Sequence, residues 1–121
     1  MGASLVYLDR PNTVKETITG QSKIGYRFAA SSMQGWRLSM EDAHICNVDI
    51  GNGIGLFAVF DGHGGIEVAK FCEAHFTQLL ISNHHFQNKS YPKALEETFL
   101  EMDVLLANST AELMAIHHQF P

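Results

Sequence analysis

Ile54-Gly55-Leu56-Phe57-Ala58-Val59-Phe60-Asp61-Gly62-His63-Gly64-Gly65 is the stretch on which the fold turns. Its apolar run, bounded by glycines, reads as a buried strand of about seven residues, Ile54 to Phe60. The run ends in a carboxylate, an imidazole and three glycines. A hard anionic ligand and a titratable group therefore sit at a strand end, on backbone able to approach a charged substrate closely. A second strand is expected just upstream, from Ala43 to Ile50, and Gly51-Asn52-Gly53 lies between the two. Asn-Gly is the strongest short-range hairpin signal.

A second chemical cluster, Gly35-Trp36-Arg37-Leu38-Ser39-Met40-Glu41-Asp42, precedes that hairpin. With Asn52-Gly53 as a two-residue turn, Gly51 pairs with Ile54, His44 faces Asp61 and Asp42 comes opposite His63. The two acidic clusters then meet at the open end of the hairpin. The register decides whether Glu41 or Asp42 points with Asp61, since a one-residue slip turns every side chain to the other face. Alone, Asp-Gly is a common turn and Glu41-Asp42 a common solvated surface pair. Brought together, three carboxylates and glycine carbonyls offer the oxygen donors that Mg²⁺ and Mn²⁺ prefer. Arg37 is either a surface charge or a planar fork for phosphate oxygens. His63 is either an idle loop residue or a proton donor to a leaving oxygen.

The rest of the chain frames these clusters. Residues 1–22 are polar and read as a flexible N-terminal arm; residues 23–121 form the folded part. Tyr26 to Met33 alternates as a strand and is broken by Gln34-Gly35. After Gly64-Gly65, Ala69, Cys72, Phe76, Leu79 and Leu80 recur at helical spacing, and Asn83-His84-His85 is a stop. A second helix is expected from about Ser90, with Pro92 in its first turn and Leu95, Phe99, Met102 and Leu106 as its apolar face. Ser109-Thr110-Ala111-Glu112 has capping-box spacing for a third, short helix. His84-His85 and His117-His118 are left without a role, because chain neighbours point apart in regular structure.

Composition sets the boundaries. The chain has 121 residues, 45% of them hydrophobic, which suits one small folded domain. Thirteen acids against eight bases give a net charge of −5, and no basic stripe is present, which argues against nucleic acid as a partner. Cys46 and Cys72 form no C-x-x-C pair and are expected as reduced, buried thiols acting as small hydrophobes, favouring a cytoplasmic protein, with nuclear or membrane-peripheral placement open. No run is long enough to span a membrane. Gly2 meets one requirement for myristoylation, although Val6 stands where Ser or Thr is preferred. Cysteine-based phosphate transfer is disfavoured, because the arginine expected six residues after the nucleophile is replaced by Asn52 after Cys46 and by Gln78 after Cys72. A Walker-type loop is absent for want of Gly-Lys-Ser/Thr.

Gln34-Gly35-Trp36-Arg37-x-x-Met40-Glu41-Asp42-Ala43-His44, followed by Val59-Phe60-Asp61-Gly62-His63-Gly64-Gly65, resembles the metal-dependent type 2C protein serine/threonine phosphatases. Both motifs occur in the family's order and spacing, and the resemblance runs over about residues 24–106. It implies an α+β fold, the N-terminal part of an α-β-β-α sandwich in which two antiparallel sheets are flanked by helices. It implies that Asp61 bridges two Mg²⁺ or Mn²⁺ ions, with Gly62 giving a backbone carbonyl and Glu41 and Asp42 holding metal-bound waters. Arg37 would bind the substrate phosphate, and His63 would protonate the leaving oxygen. The implied reaction is hydrolysis of phosphoserine and phosphothreonine in phosphoprotein substrates through a metal-bridging hydroxide.

The chain is short for such a fold, and the family's later metal-binding aspartates have no counterpart here, since the only Asp after Asp61 is Asp103. Residues 113–121 carry no motif. The resemblance therefore implies a truncated domain with unpaired strand edges, marginal stability or self-association, weak ion binding and very low turnover. A catalytically inactive fragment acting as an interaction or substrate-binding module is the alternative.

Overall fold

The computed structural model describes residues 6–120. The chain divides into two compact units, Met1–Met40 and Glu41–Pro121. Gly2 lies outside the described residues.

The first unit is a two-stranded antiparallel sheet of β1 (Tyr7–Gln21) and β2 (Arg27–Arg37). The flexible arm expected over residues 1–22 is, from Tyr7 onward, the longest strand among the described residues. Thr17, Ile18 and Thr19 are β-branched and pair with Ser31, Ala30 and Ala29. The Thr17 and Ser31 hydroxyls lie 3.1 Å apart across the ladder. The strand was not legible because both of its faces are polar, so no alternation marks it. The register slips between Tyr7 and Asn12 and again between Asn12 and Lys15, around Pro11, which has no N–H to give the ladder. Asn12 Oδ1 accepts the Val14 N–H at 3.1 Å there. β2 also continues through Gln34-Gly35, where a break was expected, and Gly35 pairs with Asn12 at this irregularity.

The second unit contains β3 (Asp42–Asn47), β4 (Leu56–Asp61), α1 (Glu67–Ser82), α2 (His84–Gln87), α3 (Tyr91–Ala107) and α4 (Thr110–Gln119). Together the two units are α+β: two small antiparallel sheets and four helices among the described residues. One face of the β3–β4 hairpin carries Ala43, Ile45, Leu56, Ala58 and Phe60 and packs on α1. The core is Ile45, Phe71, Phe76, Leu80, Ala94 and Met102. Phe71 and Phe76 are almost fully buried. Burying a side chain of this size stabilises by about 1.5–3 kcal/mol.

α3 buries Met102 and packs Leu106 against the core as expected, but Leu95 and Phe99 are not at the centre of its buried face. Ala94, Thr98 and Met102 are buried, whereas Leu95 and Phe99 are exposed. The two small residues let α3 approach α1 closely, and the Thr98 hydroxyl donates to the Ala94 carbonyl at 2.7 Å, so its burial leaves no unpaired group. Pro92 does sit in the first turn after the N-cap Ser90. The capping box at α4 does not form. The Ser109 hydroxyl turns back to the Leu105 carbonyl at 2.6 Å, and Glu112 reaches His75 on α1 at 2.6 Å.

Candidate phosphatase site

The acidic clusters of the second unit meet, in a register two residues from the expected one. Asp42 pairs with Asp61, Ala43 with Phe60 and His44 with Val59, so His44 does not face Asp61 and Asp42 does not face His63. The turn itself is as expected. Asn52 and Gly53 have φ of 55° and 76°, and the Ile54 N–H donates to the Gly51 carbonyl at 3.0 Å. Positive φ at both central residues is the two-residue hairpin turn whose twist matches that of the strands.

Between turn and ladder the β3 side carries two surplus residues. They are taken up around Asp49, whose carboxylate accepts the Gly51 and Gly53 N–H groups at 2.8 and 3.2 Å, while Asn47 Oδ1 accepts the Asp49 N–H at 3.1 Å. A shift of two preserves the facing of every side chain. Asp42 and Asp61 therefore share the hairpin face that looks away from α1, and both are exposed.

Like charges directly across a ladder repel. A divalent cation held at this strand end would offset that repulsion, and the donors present are hard oxygens. The residues thus suit an oxygen-ligated ion of the Mg²⁺ or Mn²⁺ kind.

Glu41 lies beside this pair in sequence and is tied to the glycine loop: its Oε1 accepts the Gly65 N–H at 3.1 Å. Gly62 approaches the Glu41 backbone so closely that a Cβ there would collide with the Glu41 carbonyl and crowd Ala69 Cβ at 3.2 Å. Only glycine leaves room for this contact. Glu41, Gly62 and Gly65 thus lock the end of β3 to the segment that leaves β4. His63 is exposed on that segment, immediately before α1.

Arg37 belongs to the first unit. It is the last residue of β2, is exposed, and its carbonyl accepts from Gln34 Nε2 at 2.8 Å.

Glu67, in the first turn of α1, accepts from His117 Nδ1 of α4 at 2.5 Å. That hydrogen bond holds its carboxyl below the usual carboxylate range. Cys46 and Cys72 are both free, and burial pushes the Cys72 thiol up, with Asp103 adding to the effect. Among the described residues no helix is long and apolar enough to cross a membrane.

Residues 26–118 match the family model of protein phosphatase 2C. The match extends past residue 106, where the resemblance legible from motifs stops, into α4. The chain is 50% identical over 106 residues to probable protein phosphatase 2C 5 of Paramecium tetraurelia, covering 88% of this chain and 36% of that protein. It is 54% identical over 100 residues to protein phosphatase 2C 1 of the same organism, covering 83% and 33%. To protein phosphatase 1G of Bos taurus it is 41% identical over 108 residues, covering 88% and 19%. The chain thus spans about a third of the length of the curated Paramecium relatives it matches. With the family model covering most of the chain and both acidic motifs on one hairpin end, the chain belongs to the protein phosphatase 2C family.

Proposed function

We propose that this chain carries part of the active site of a Mg²⁺- or Mn²⁺-dependent phosphatase acting on phosphoserine and phosphothreonine in proteins. The observation that carries this reading is the pairing of Asp42 with Asp61 at one hairpin end, with Glu41 fastened to the adjoining glycine loop. Asp61, Asp42, Glu41 and the Gly62 carbonyl would hold the ions. Such ions, when bound, make a water acidic enough to act as nucleophile near neutral pH.

The chain's own residues supply the rest. Arg37, of the first unit, would offer its guanidinium fork to phosphate oxygens, a role carried over from the family motif. His63, exposed beside Asp61, donates a proton to the departing Ser or Thr oxygen, so that it leaves as a neutral hydroxyl. The two free thiols support a reducing, cytoplasmic setting.

The test is phosphate release from a phosphothreonine peptide by the purified chain, with Mn²⁺ and with chelator. Turnover is expected to be low, to require the ion and to vanish in Asp61→Asn. His63→Ala is expected to lower it by about 10²- to 10⁴-fold, the range of a general acid. A folded sample with no turnover under either condition would sink the enzymatic reading for this chain and leave the substrate-binding one.

A further inference from the structure

A second cluster of ligating side chains lies in the helical layer, at the α1–α2–α3 junction. Asn83 ends α1 with an extended backbone, φ −70° and ψ 132°, so α2 starts at once in a new direction. Its first two residues are His84 and His85, whose ring centroids are 3.9 Å apart. The expectation that these neighbours point apart fails because they open a helix at a sharp chain reversal rather than sit within one.

α3 brings Glu97 to them. Glu97 Oε1 lies 3.1 Å from His85 Nε2. Its other oxygen, Oε2, accepts from Asn83 Nδ2 at 2.9 Å. Asn83 is buried and also accepts the His85 backbone N–H at 2.9 Å, so it is fixed at both ends. One ligand atom each from His84, His85 and Glu97 lie within 4.8 Å of one another.

We propose that His84, His85 and Glu97 form a binding site for a first-row divalent transition metal of the Zn²⁺ type, separate from the carboxylate cluster at the hairpin end. Two imidazoles and one carboxylate suit zinc, copper, nickel or cobalt, and do not suit Mg²⁺, which seeks oxygen ligands. A tetrahedral ion with bonds of about 2.0–2.1 Å needs ligand atoms about 3.3 Å apart. His85 Nε2 and Glu97 Oε1, 3.1 Å apart, already have this spacing, and rotation of exposed His84 would bring in the third ligand atom, which lies within 4.8 Å of both. The fourth position is left to water. Asn83 is the outer partner: it grips one carboxylate oxygen and leaves the other for the ion, an arrangement that orients metal ligands elsewhere. A bound ion would tie α2 to α3 across the chain reversal.

Co²⁺ is the probe, because its visible absorption reports coordination. Titrated into the full 121-residue chain, Co²⁺ is expected to give ligand-field bands that saturate at one equivalent and are displaced by Zn²⁺. His84→Ala and Glu97→Gln are each expected to weaken Co²⁺ binding tenfold or more, while Asp61→Asn leaves it unchanged. His84 is exposed, and the amide of Glu97→Gln still pairs with Asn83, so both variants keep the helical layer, as far-UV circular dichroism checks. Absence of saturable bands, binding within twofold of the parent in both variants, or loss of the bands in Asp61→Asn would each overturn the site.

Discussion

Both units of this chain are built on an antiparallel hairpin, and only one hairpin has a core. β3 and β4 are six residues each, yet their inward face meets α1 and contributes Ile45 to the buried cluster. β1 and β2 are longer, at fifteen and eleven residues, and bury no hydrophobic side chain among those described; Val14, Ile18 and Trp36 are exposed. Length of ladder is thus a poor guide to stability. A two-stranded hairpin alone is marginal in water, and packing against a helix changes that. The acidic clusters that meet do so on the packed hairpin, while the proposed phosphate-binding Arg37 ends the unpacked one.

The largest expected effect lies in the packed unit. Phe71→Ala or Phe76→Ala removes a nearly fully buried ring and is expected to cost about 3–5 kcal/mol in denaturant unfolding. Val14→Ala, on β1, is the matched control, expected to stay within about 0.5 kcal/mol. Equal losses at both sites would erase the contrast between the units. Next comes the lock at the site. Gly62→Ala must displace the Glu41 carbonyl, at a cost of about 1–3 kcal/mol, and is expected to raise hydrogen exchange at the Gly65 amide. Unaltered protection of that amide would mean that Glu41 and the glycine loop are not coupled.

The smallest effect lies at the edge of the packed unit. α4 contributes no fully buried residue; it packs half-buried Leu113 and Ile116 against the core and is clasped to α1 by Glu112–His75 and His117–Glu67. Glu67 has its carboxyl held below the ordinary value of 4.5, so its stabilising contribution is fully present above 4.5 and is lost as pH falls through the lower folded-state value. Amides of α4 are therefore expected to lose protection on acidification below 4.5 before those of α1 do. Simultaneous loss in both helices would show that the apolar contacts of Leu113 and Ile116, rather than this clasp, hold α4 in place.

Particular residues explain what the sequence made legible. The apolar run before Asp61 and the Asn52-Gly53 turn are local signals, and they located the second hairpin and the meeting of the two acidic clusters at its open end. The exact ladder was not legible, because the surplus residues around Asp49 are held by side-chain hydrogen bonds that no periodicity records. Half of the buried face of α3, Met102 and Leu106, was legible; the rest was not, because bulk pointed to Leu95 and Phe99, whereas Ala94 and Thr98 are buried through their smallness. β1 was missed because its existence depends on a partner strand rather than on any pattern of its own. His84 and His85 carried no spacing signal, since Glu97 reaches them only through the turn at Asn83.

The loop around Asp49 also sets a rule for how this chain can vary in length. Adding or deleting two residues there moves Asp42 along β4 yet keeps it on the face of Asp61. Adding or deleting one would carry Asp42 to the core side and bring Glu41 out in its place, exchanging which acid shares the face of Asp61. In this chain an odd change keeps Asp42 on the face of Asp61 only where the loop around Asp49 or a bulge takes up the odd residue.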